Sequence, residues 1–386
     1  MKILVTGAGG FIGKNLIATL RGENEVLEYH HTAGFETLKK FCRECDFVFH
    51  LAGVNRPENP EEFTTGNEHF TAALVELLAD NKCPIVFASS TQAELDNPYG
   101  RSKLTAEKIL RARSARTLIY RLPNVFGKWC RPNYNSAVAT FCFNAARGLP
   151  LQVNDPAREM QLVYIDDVVA EFVSVLNGNE PQSIPTYKKN LAELAALIQS
   201  FPHCRADLSI PDQRDALTAK LYSTYQSYLP ENDFSYALTM HKDERGSFSE
   251  FVRTDGQGQF SANVIKPHVT KGNHWHHSKH EKFLVVTGKG VIRFRQINSD
   301  KIFEYKVSGE RHEVIEIPPG YTHNIENTGE NDMTVIIWAN ENFNPAAPDT
   351  FRLDVNALGG GQLKSLPLKK FCSSQVCFGK PSKAVG

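Results

Sequence analysis

KILVTGAGGFIG, residues 2–13, joins a short apolar run to three glycines spaced three residues apart. The apolar run predicts a β-strand, and the residues from Phe11 onward predict a helix. Between them Gly7, Gly10 and Gly13 permit a tight turn, close approach of the backbone to a pyrophosphate, and close helix–strand packing. The N-terminus of the helix then supplies amide donors to a phosphate. We therefore predict a dinucleotide site at the start of a Rossmann-type sheet.

Strands and helices continue to alternate up to about residue 230. This alternation, with β-branched residues in the strands, is typical of a doubly wound, parallel α/β sheet. The predicted strands are 2–6, 26–30, 47–51, 84–88 and 117–121, and the predicted helices include 70–81, 102–113 and 191–200.

The pattern changes after Met240, where short strands follow one another with Gly, Asn, Asp and Pro between them. This pattern predicts an all-β barrel or sandwich. We place an α/β domain at 1–235, a β-barrel domain at 240–354 and a poorly ordered tail at 355–386. The predicted barrel strands include 283–286, 291–294, 314–317 and 334–338.

Composition excludes several classes of function. Lys+Arg and Asp+Glu both number 43 in 386 residues, so the chain has no net charge to attract nucleic acid or an acidic membrane surface. No apolar run approaches the roughly 20 residues of a membrane span. The opening strand runs straight into a glycine loop, which leaves no export signal, and the eight cysteines are scattered as in reduced proteins. We expect a cytoplasmic protein.

Tyr99 and Lys103 stand four residues apart, so a helix places both on one face. A tyrosine with a pKa near ~10 is a poor acid–base group at neutral pH, but a lysine ammonium beside it favours the phenolate. The phenol can then protonate a carbonyl oxygen as hydride arrives at the carbon. Ser89, Ser90 and Thr91 end the preceding strand and could hold that oxygen. This pattern predicts nicotinamide-dependent reduction of a carbonyl group.

The residues after the second predicted strand bear on the choice of cofactor. Folds that prefer NAD commonly place Asp or Glu about 20 residues past the glycines. Here the strand ends in Glu28-Tyr29-His30-His31, so a strand ending at His30 leaves no carboxylate for the ribose 2′-hydroxyl. A histidine tolerates a 2′-phosphate, and we predict NADPH as the cofactor, with His30 beside it.

His274 and His276 alternate along a predicted strand, so both side chains point to one face. Glu281 follows after a short connection, and His323 lies on a later strand behind a Pro-x-Gly turn. Imidazoles with one carboxylate suit Zn, Fe, Mn or Ni. The spacing matches both cupin motifs, and we predict a divalent metal site in the barrel.

Residues 1 to about 225 resemble an extended short-chain dehydrogenase/reductase. The matching segments are 6–13, 50–53, 89–90, 99–103, 121–127 and 164–168. The resemblance implies a nucleotide-sugar substrate. It also implies catalytic roles for Ser90, Tyr99 and Lys103, and cofactor contacts from Gly7, Gly10, Phe11, Ile12, Gly13, Leu51, Ala52, Gly53 and Asn124.

Two departures from that family pattern leave alternatives open. The interval between Ser90 and Tyr99 is short, so Thr91 is a second candidate for the serine's role. Met160 stands where many relatives carry an arginine for the pyrophosphate of the sugar nucleotide, and Arg158 or Arg147 could replace it.

The start of the barrel, residues 243–251, resembles sugar-nucleotide 3,5-epimerases. Epimerisation beside a carbonyl needs a base, an acid and stabilisation of an enolate. A divalent metal can supply that stabilisation by polarising the ketone. The candidate acid–base groups are Lys266, His268, Lys271 and Tyr321.

An extended reductase followed by this cupin resembles the CapF-type capsular polysaccharide enzymes over residues 1–354. The resemblance implies that the cupin epimerises C3 of a UDP-2-acetamido-2,6-dideoxy-4-hexulose. The reductase then reduces C4 with NADPH to UDP-2-acetamido-2,6-dideoxy-L-talose, on the route to UDP-N-acetyl-L-fucosamine. We expect Zn in the barrel, a homodimer, and no nucleic-acid or membrane partner. Two alternatives are a plain 4-keto reductase with a structural cupin, and a non-catalytic sensor of sugar nucleotides.

Overall fold

The computed structural model describes residues 1–113, 115–254, 256 and 258–357. The predicted tail lies outside the described residues from 358 onward. Within them the chain forms two compact units, one made of 1–202 and 213–234 and the other of 203–212 and the residues from 235 onward.

The first unit contains two sheets. Its strands are β1 (Lys2–Thr6), β2 (Glu25–Tyr29), β3 (Phe47–His50), β4 (Ile85–Ser90), β5 (Thr117–Leu122), β6 (Asn124–Phe126), β7 (Glu159–Tyr164) and β8 (Thr186–Asn190). The larger sheet is parallel, in the order β2-β1-β3-β4-β5, and β6-β7-β8 form the smaller one.

Helices connect the strands of the first unit. They are α1 (Phe11–Leu20), α2 (Phe35–Glu44), α3 (Glu61–Phe63), α4 (Phe70–Leu77), α5 (Pro98–Arg111), α6 (Ala137–Ala145), α7 (Ile165–Leu176), α8 (Leu191–Ser200) and α10 (Ala216–Gln226). A π-helical turn, Thr64–His69, joins α3 to α4, and a 3-10 helix, Thr91–Glu94, follows β4. No helix of the described residues is long and apolar enough to cross a membrane.

The strand order reverses between β1 and β3, because the chain passes from β1 to β2 on one side and then to β3 on the other. Open α/β sheets bind ligands in the crevice at such a point, beyond the carboxyl ends of the strands. The loops that follow β1 and β3 therefore mark the expected site. They begin at Gly7 and Leu51, as the sequence analysis expects.

The second unit is built from strands that pair antiparallel, except that the short strand Ser209–Ile210 pairs in parallel with the strand Gly246–Thr254. They are β9 (Ser209–Ile210), β10 (His241–Asp243), β11 (Gly246–Thr254), β12 (Gly258–Ile265), β13 (Thr270–Trp275), β14 (Glu281–Thr287), β15 (Lys289–Gln296), β16 (Ile302–Ser308), β17 (Val314–Ile317), β18 (Tyr321–Asn327), β19 (Met333–Ala339) and β20 (Phe351–Arg352), with one short helix, α9 (His203–Ala206). One sheet runs β10-β11-β12-β19-β14-β17 and the other β16-β15-β18-β13-β20. An apolar core from both sheets includes Ile265, Phe283, Ile292 and Val335.

The predicted fold class is confirmed: a parallel Rossmann-type sheet precedes an antiparallel, cupin-like β region. Two details differ from the predicted boundaries. Residues 203–212 lie inside the predicted first domain, yet β9 pairs with β11 of the second unit. The predicted tail begins at 355, yet Val355 is fully buried and its carbonyl accepts a hydrogen bond from Arg295.

Candidate active site and metal centre

The glycine loop after β1 presses directly against the loop after β3. Gly7 has a φ of +71°, and a Cβ on it would lie 2.7 Å from the backbone nitrogen of Ala52. A Cβ on Gly13 would lie 2.3 Å from the carbonyl oxygen of Gly7. Gly10 precedes the first residue of α1, whose first turn carries no acidic side chain. The loop therefore has no room for side chains and presents backbone amides at the start of α1. Such a loop fits a pyrophosphate group.

His30 lies beside this loop. A Cβ on Gly9 would be 3.2 Å from Nδ1 of His30, and β2 ends one residue earlier, at Tyr29. The nearby carboxylate of Glu28 is paired with Arg21 at 2.7 Å and lies 3.7 Å from Nε2 of His30. The end of β2 therefore offers cationic and neutral groups rather than a free carboxylate.

Helix α5 carries both Tyr99 and Lys103, and it begins earlier than the predicted residue 102. Asn97 caps it by accepting a hydrogen bond from the Gly100 amide at 2.8 Å, and Pro98 occupies its first turn. An Asn followed by Pro is a common start of a helix, because Pro is pre-organised for the first turn. This start places Tyr99 in the first turn and Lys103 one turn later.

Lys103 is almost completely buried. Its Nζ donates to the carbonyl oxygen of Ala88 at 2.9 Å and lies 4.6 Å from the ring centre of Phe87. A Cβ on Gly53 would lie 3.3 Å from the same Nζ, so the loop after β3 borders the ammonium. Burial lowers the pKa of Lys103 to about 8, and the Glu107 carboxylate acts in the opposite direction.

Ser90, rather than Ser89, faces Tyr99. Burial raises the pKa of Tyr99, and a hydrogen bond with Ser90 acts in the opposite direction. Ser89 is turned the other way, because its hydroxyl donates to Glu107 at 2.6 Å. Thr91, the alternative candidate, is exposed and starts the 3-10 helix.

A buried hydrogen-bond chain centred on His50 holds the loop after β3. Thr71 donates to the carbonyl of Asn67 at 2.6 Å, so it accepts from Nε2 of His50 at 2.9 Å. Nδ1 of His50 then accepts from Thr6 at 2.8 Å, and Thr6 accepts from the amide of Ala52. Burial lowers the pKa of His50 to about 3, so the ring is neutral in this chain.

Asn67 is a site residue that the sequence analysis missed. It lies in the π-helical turn, accepts from the amide of Val54 at 2.8 Å and donates to the Val54 carbonyl at 3.0 Å. It also donates to Ser102, which in turn donates to the carbonyl of Tyr99. Asn67 therefore ties the loop after β3 to the helix that carries Tyr99 and Lys103. π-Helical turns often occur at functional sites, but no sequence signal marks this one.

The remaining predicted contacts of the first unit lie in different surroundings. Phe11, Ile12 and Leu51 are partly buried against the core of the large sheet. Asn124 is exposed at the start of β6 and donates to the carbonyl of Gln161 at 2.9 Å. Arg147 donates to the carbonyl of Tyr228 at 2.9 Å, so its guanidinium holds together two segments of the first unit. Arg158 is exposed.

The four predicted metal ligands of the barrel form one cluster. Potential ligand atoms of His274, His276, Glu281 and His323 all lie within 4.8 Å of one another. His274 on β13 is the direct cross-strand partner of His323 on β18, and His276 follows the end of β13. The rings of His274 and His323 are 4.5 Å apart. Burial, and then the charge of His323, lowers the pKa of His274 to about 3, which keeps it in the metal-binding form.

The donor atoms of this cluster fit a divalent cation. Within the described residues, Nε2 of His276 and Nε2 of His323 are buried and lack a hydrogen-bond partner. They lie 3.4 and 3.6 Å from Oε2 of Glu281. Nδ1 of His276 faces the carbonyl oxygen of Asp349, which can only accept, so Nδ1 carries the proton and Nε2 presents its lone pair.

Asp349 is a second residue that the sequence analysis missed. Its carboxylate accepts hydrogen bonds from the amides of His277, Ser278 and Lys279, each at 2.8 Å. Partial burial would raise the pKa of Asp349, but these hydrogen bonds outweigh it and hold the pKa well below its usual range. Asp349 thereby fixes the loop that connects His276 to Glu281.

The candidate acid–base groups of the barrel divide into two pairs. Lys266 and His268 are exposed and pair with Asp332 and Glu330 at 2.8 and 3.3 Å. Lys271 pairs across the strands with Ile325, a core residue. Cross-strand partners share a face, so Lys271 points inward, as His274 does.

Lys271 and Tyr321 are the candidates nearer the interior. Nζ of Lys271 donates to Asn263 at 2.8 Å, and burial lowers its pKa. Tyr321 is partly buried against the apolar core.

Comparisons with known proteins match both halves of the chain. Residues 3–187 match the NAD dependent epimerase/dehydratase family, and residues 241–351 match the polysaccharide biosynthesis C-terminal domain. The UDP-2-acetamido-2,6-beta-L-arabino-hexul-4-ose reductase of Pseudomonas aeruginosa is 47% identical over 368 residues, which cover 92% of this chain and 99% of the relative. The crystal structure of the capsular polysaccharide assembling protein CapF from Staphylococcus aureus has a TM-score of 0.86 and 49% identity, covering 92% of this chain and all of that one.

Proposed function

This chain belongs to the CapF-type family of capsular polysaccharide proteins, and from this membership we propose that it is a bifunctional sugar-nucleotide enzyme. It is a sugar-nucleotide oxidoreductase with a nicotinamide cofactor. The proposal adds two steps on one substrate. The second unit epimerises C3 of a UDP-2-acetamido-2,6-dideoxy-4-hexulose. The first unit then reduces C4 with NADPH, giving UDP-2-acetamido-2,6-dideoxy-L-talose.

The grouping of Tyr99, Lys103 and Ser90 beside the glycine loop carries the reductase half of this proposal. Ser90 ends β4, and its hydroxyl interacts with the phenol of Tyr99. The ammonium of Lys103 borders Gly53 at the carboxyl edge of the same sheet. This is the crevice in which doubly wound folds bind a dinucleotide.

Each of these side chains has a separate task in the reduction. When bound, NADPH supplies the hydride that reaches C4 of the sugar. Tyr99 gives its phenolic proton to the C4 oxygen, and Ser90 donates a hydrogen bond to the same oxygen. Lys103 holds a positive charge near Tyr99, which stabilises the phenolate that remains. The C4 ketone becomes an alcohol, and a proton from solvent restores Tyr99.

The epimerase half rests on the inward-facing polar groups of the barrel. The C4 ketone acidifies the C3 proton, so a base on one face of the sugar can remove it and an acid can return it to the other face. We assign the base to Lys271, which shares an inward face with His274 and whose pKa is lowered by burial. A divalent metal held by His274, His276, Glu281 and His323 would polarise the ketone oxygen.

We further propose that the enzyme uses NADPH, binds Zn²⁺ and works in the cytoplasm. His30 beside the glycine loop, without a free carboxylate at the end of β2, supports NADPH over NADH. Three imidazoles with one carboxylate support Zn²⁺ in the barrel. The cysteines of the described residues are free thiols, which supports a cytoplasmic setting. We also propose a homodimer, to be checked by light scattering.

The decisive experiment follows the sugar by NMR in deuterated water, with and without NADPH. Without NADPH, the metal-loaded protein should exchange deuterium into C3 of the 4-keto sugar. With NADPH, the 4-ketone should disappear and the talose derivative should accumulate. Reduction without C3 exchange would leave a plain 4-keto reductase with a structural barrel. Binding of the sugar nucleotide without either reaction would point to a sensor.

A further inference from the structure

The side chain one turn beyond Lys103 on α5 is Glu107, and its carboxylate is buried deep in the first unit. Lys103 is 5% exposed, and the side chain of Glu107 is 1% exposed. Residues four apart on a helix lie on the same face, about 5–6 Å apart between their Cβ atoms. A buried lysine and a buried carboxylate therefore sit next to each other, but the partner of Lys103 at hydrogen-bond distance is the carbonyl of Ala88.

Glu107 is held by the two strands under α5. Its Oε1 accepts from Ser89 of β4 at 2.6 Å and from Nε of Arg121 at 2.9 Å, and its Oε2 accepts from Arg121 at 2.7 Å. Ser89 and Arg121 are cross-strand partners on β4 and β5. The carboxylate therefore has a fixed position one helical turn from Lys103, and it clamps the strand end that presents Ser90.

We propose that Glu107 is the positioning residue of the reductase site: it supplies the negative charge that keeps Lys103 protonated, and Arg121 limits that charge by pairing with it. This inference rests on the proposed function of the first unit. Without a carboxylate nearby, the cost of burying an ammonium would favour the neutral amine. The opposing effects of burial and of Glu107 on the pKa of Lys103 agree with this assignment.

Other ionisable groups surround the pair on the elements packed against α5. Nearest are His50 on β3, Tyr99 and Arg111 on α5, and Glu94, which pairs with Arg121 at 2.9 Å. His50 is neutral, and the side chains of Arg111 and Glu94 are mostly exposed, so water screens them. The charged side chains on the neighbouring helices are at least partly exposed: Glu61, Glu62, Glu68, His69 and Glu76.

The test is an NMR titration of Lys103 in the cofactor-free protein carrying ¹³C at lysine Cε, with its signal assigned through Lys103→Arg. Glu107→Gln should move the titration midpoint about one pH unit lower, because it removes an opposite charge at short range. Arg121→Gln should move the midpoint higher, because it frees the charge of Glu107. Glu94→Gln is the matched control, since it removes an exposed partner of Arg121, and should leave the midpoint in place.

An unchanged midpoint in Glu107→Gln, or shifts in the same direction in both variants, would overturn the proposal and leave Glu107 a structural clamp. If Glu107→Gln does not fold, Arg121→Gln decides alone, and a midpoint that stays or falls rejects the idea. Because the titration needs neither NADPH nor sugar, it is independent of the proposed reaction. A correct shift in a protein that reduces no 4-keto sugar would sustain the charge coupling between Glu107 and Lys103 and reject the function.

Discussion

The two sites treat their buried polar atoms in opposite ways. In the first unit Lys103 donates to Ala88, both nitrogens of His50 are hydrogen-bonded, and Glu107 accepts three hydrogen bonds. In the barrel, two buried imidazole nitrogens of the four-residue cluster have no partner among the described residues. The named groups of the first site find partners within the chain, whereas two imidazole nitrogens of the second would find one in a bound cation.

This difference implies different costs when the ligand is absent. A buried donor or acceptor without a partner costs about 1–3 kcal/mol. The four-residue cluster carries two such atoms, on His276 and His323. In the reductase site, the buried groups named above form hydrogen bonds with other residues of the chain. We therefore expect the cofactor to bind to a preformed crevice and the metal to contribute to the stability of the barrel.

The largest effect is expected at Tyr99. Tyr99→Phe removes the proposed proton donor but keeps the ring, so NADPH oxidation with the 4-keto sugar should fall about 10²- to 10⁴-fold. Deuterium exchange at C3 should remain, because the proposed epimerase site lies in the barrel. Tyr305→Phe, at an exposed position of the barrel, is the control and should change neither rate. If the Tyr99 variant lost both activities, the two sites would not be independent.

The metal cluster is tested by His323→Ala. Because His323 pairs across the strands with His274, its loss opens the cluster, and bound metal measured by elemental analysis should fall to background. The thermal unfolding midpoint should fall as well, as it should after chelation of the parent protein. His312→Ala, at an exposed position, should retain full metal content. Unaltered stoichiometry in the His323 variant would reject this ligand set.

A smaller loss is expected from Asp349→Asn. The amide nitrogen of Asn would face backbone donors that now point at a carboxylate oxygen, so the loop between His276 and Glu281 should loosen. Metal affinity, measured by competition with a chelating dye, should fall about 10- to 100-fold. Asp332→Asn, which breaks an exposed ion pair, is the matched control. Equal affinity in both variants would show that the clamp does not influence the metal.

The smallest effect is a pH dependence of the reductase. Lys103 loses its proton as the pH rises through about 8, its lowered pKa. Above that pH the charge proposed to stabilise the Tyr99 phenolate disappears, and kcat for NADPH oxidation should decline several-fold. The measurement is kcat from about pH 6 to 10 at saturating substrates. A rate that is flat to the end of this range would mean that Lys103 stays protonated throughout.

Sequence patterns predicted those parts of the sites that are local along the chain. The glycines follow one strand, Tyr99 and Lys103 share one helical face, and His274 and His276 stand two residues apart. Such spacings reflect the periods of strand and helix, so they can be recognised without a structure. The paired cupin motifs likewise identified Glu281 and His323 as members of the cluster.

The parts that the sequence analysis missed depend on contacts between distant segments. Asn67 binds Val54 and Ser102, and Asp349 binds a loop some 70 residues earlier. Asn and Asp are common in turns and loops, so neither type stands out at these positions. Strand β9, Ser209–Ile210, was missed for a similar reason: two residues are too short to show alternation, and only pairing with β11 defines them.

The position of Asp349 along the chain has a consequence for biosynthesis. The ribosome makes the four residues of the proposed metal cluster first and Asp349 only afterwards. The segment whose carbonyls at Asp354 and Val355 accept hydrogen bonds from Arg295 comes last. A nascent chain that has just exposed His323 therefore has all its ligands but not the clamp on the loop between two of them. If the cluster binds a metal as proposed, tight loading would be a late event in the maturation of this polypeptide, because the clamp on the loop is made last.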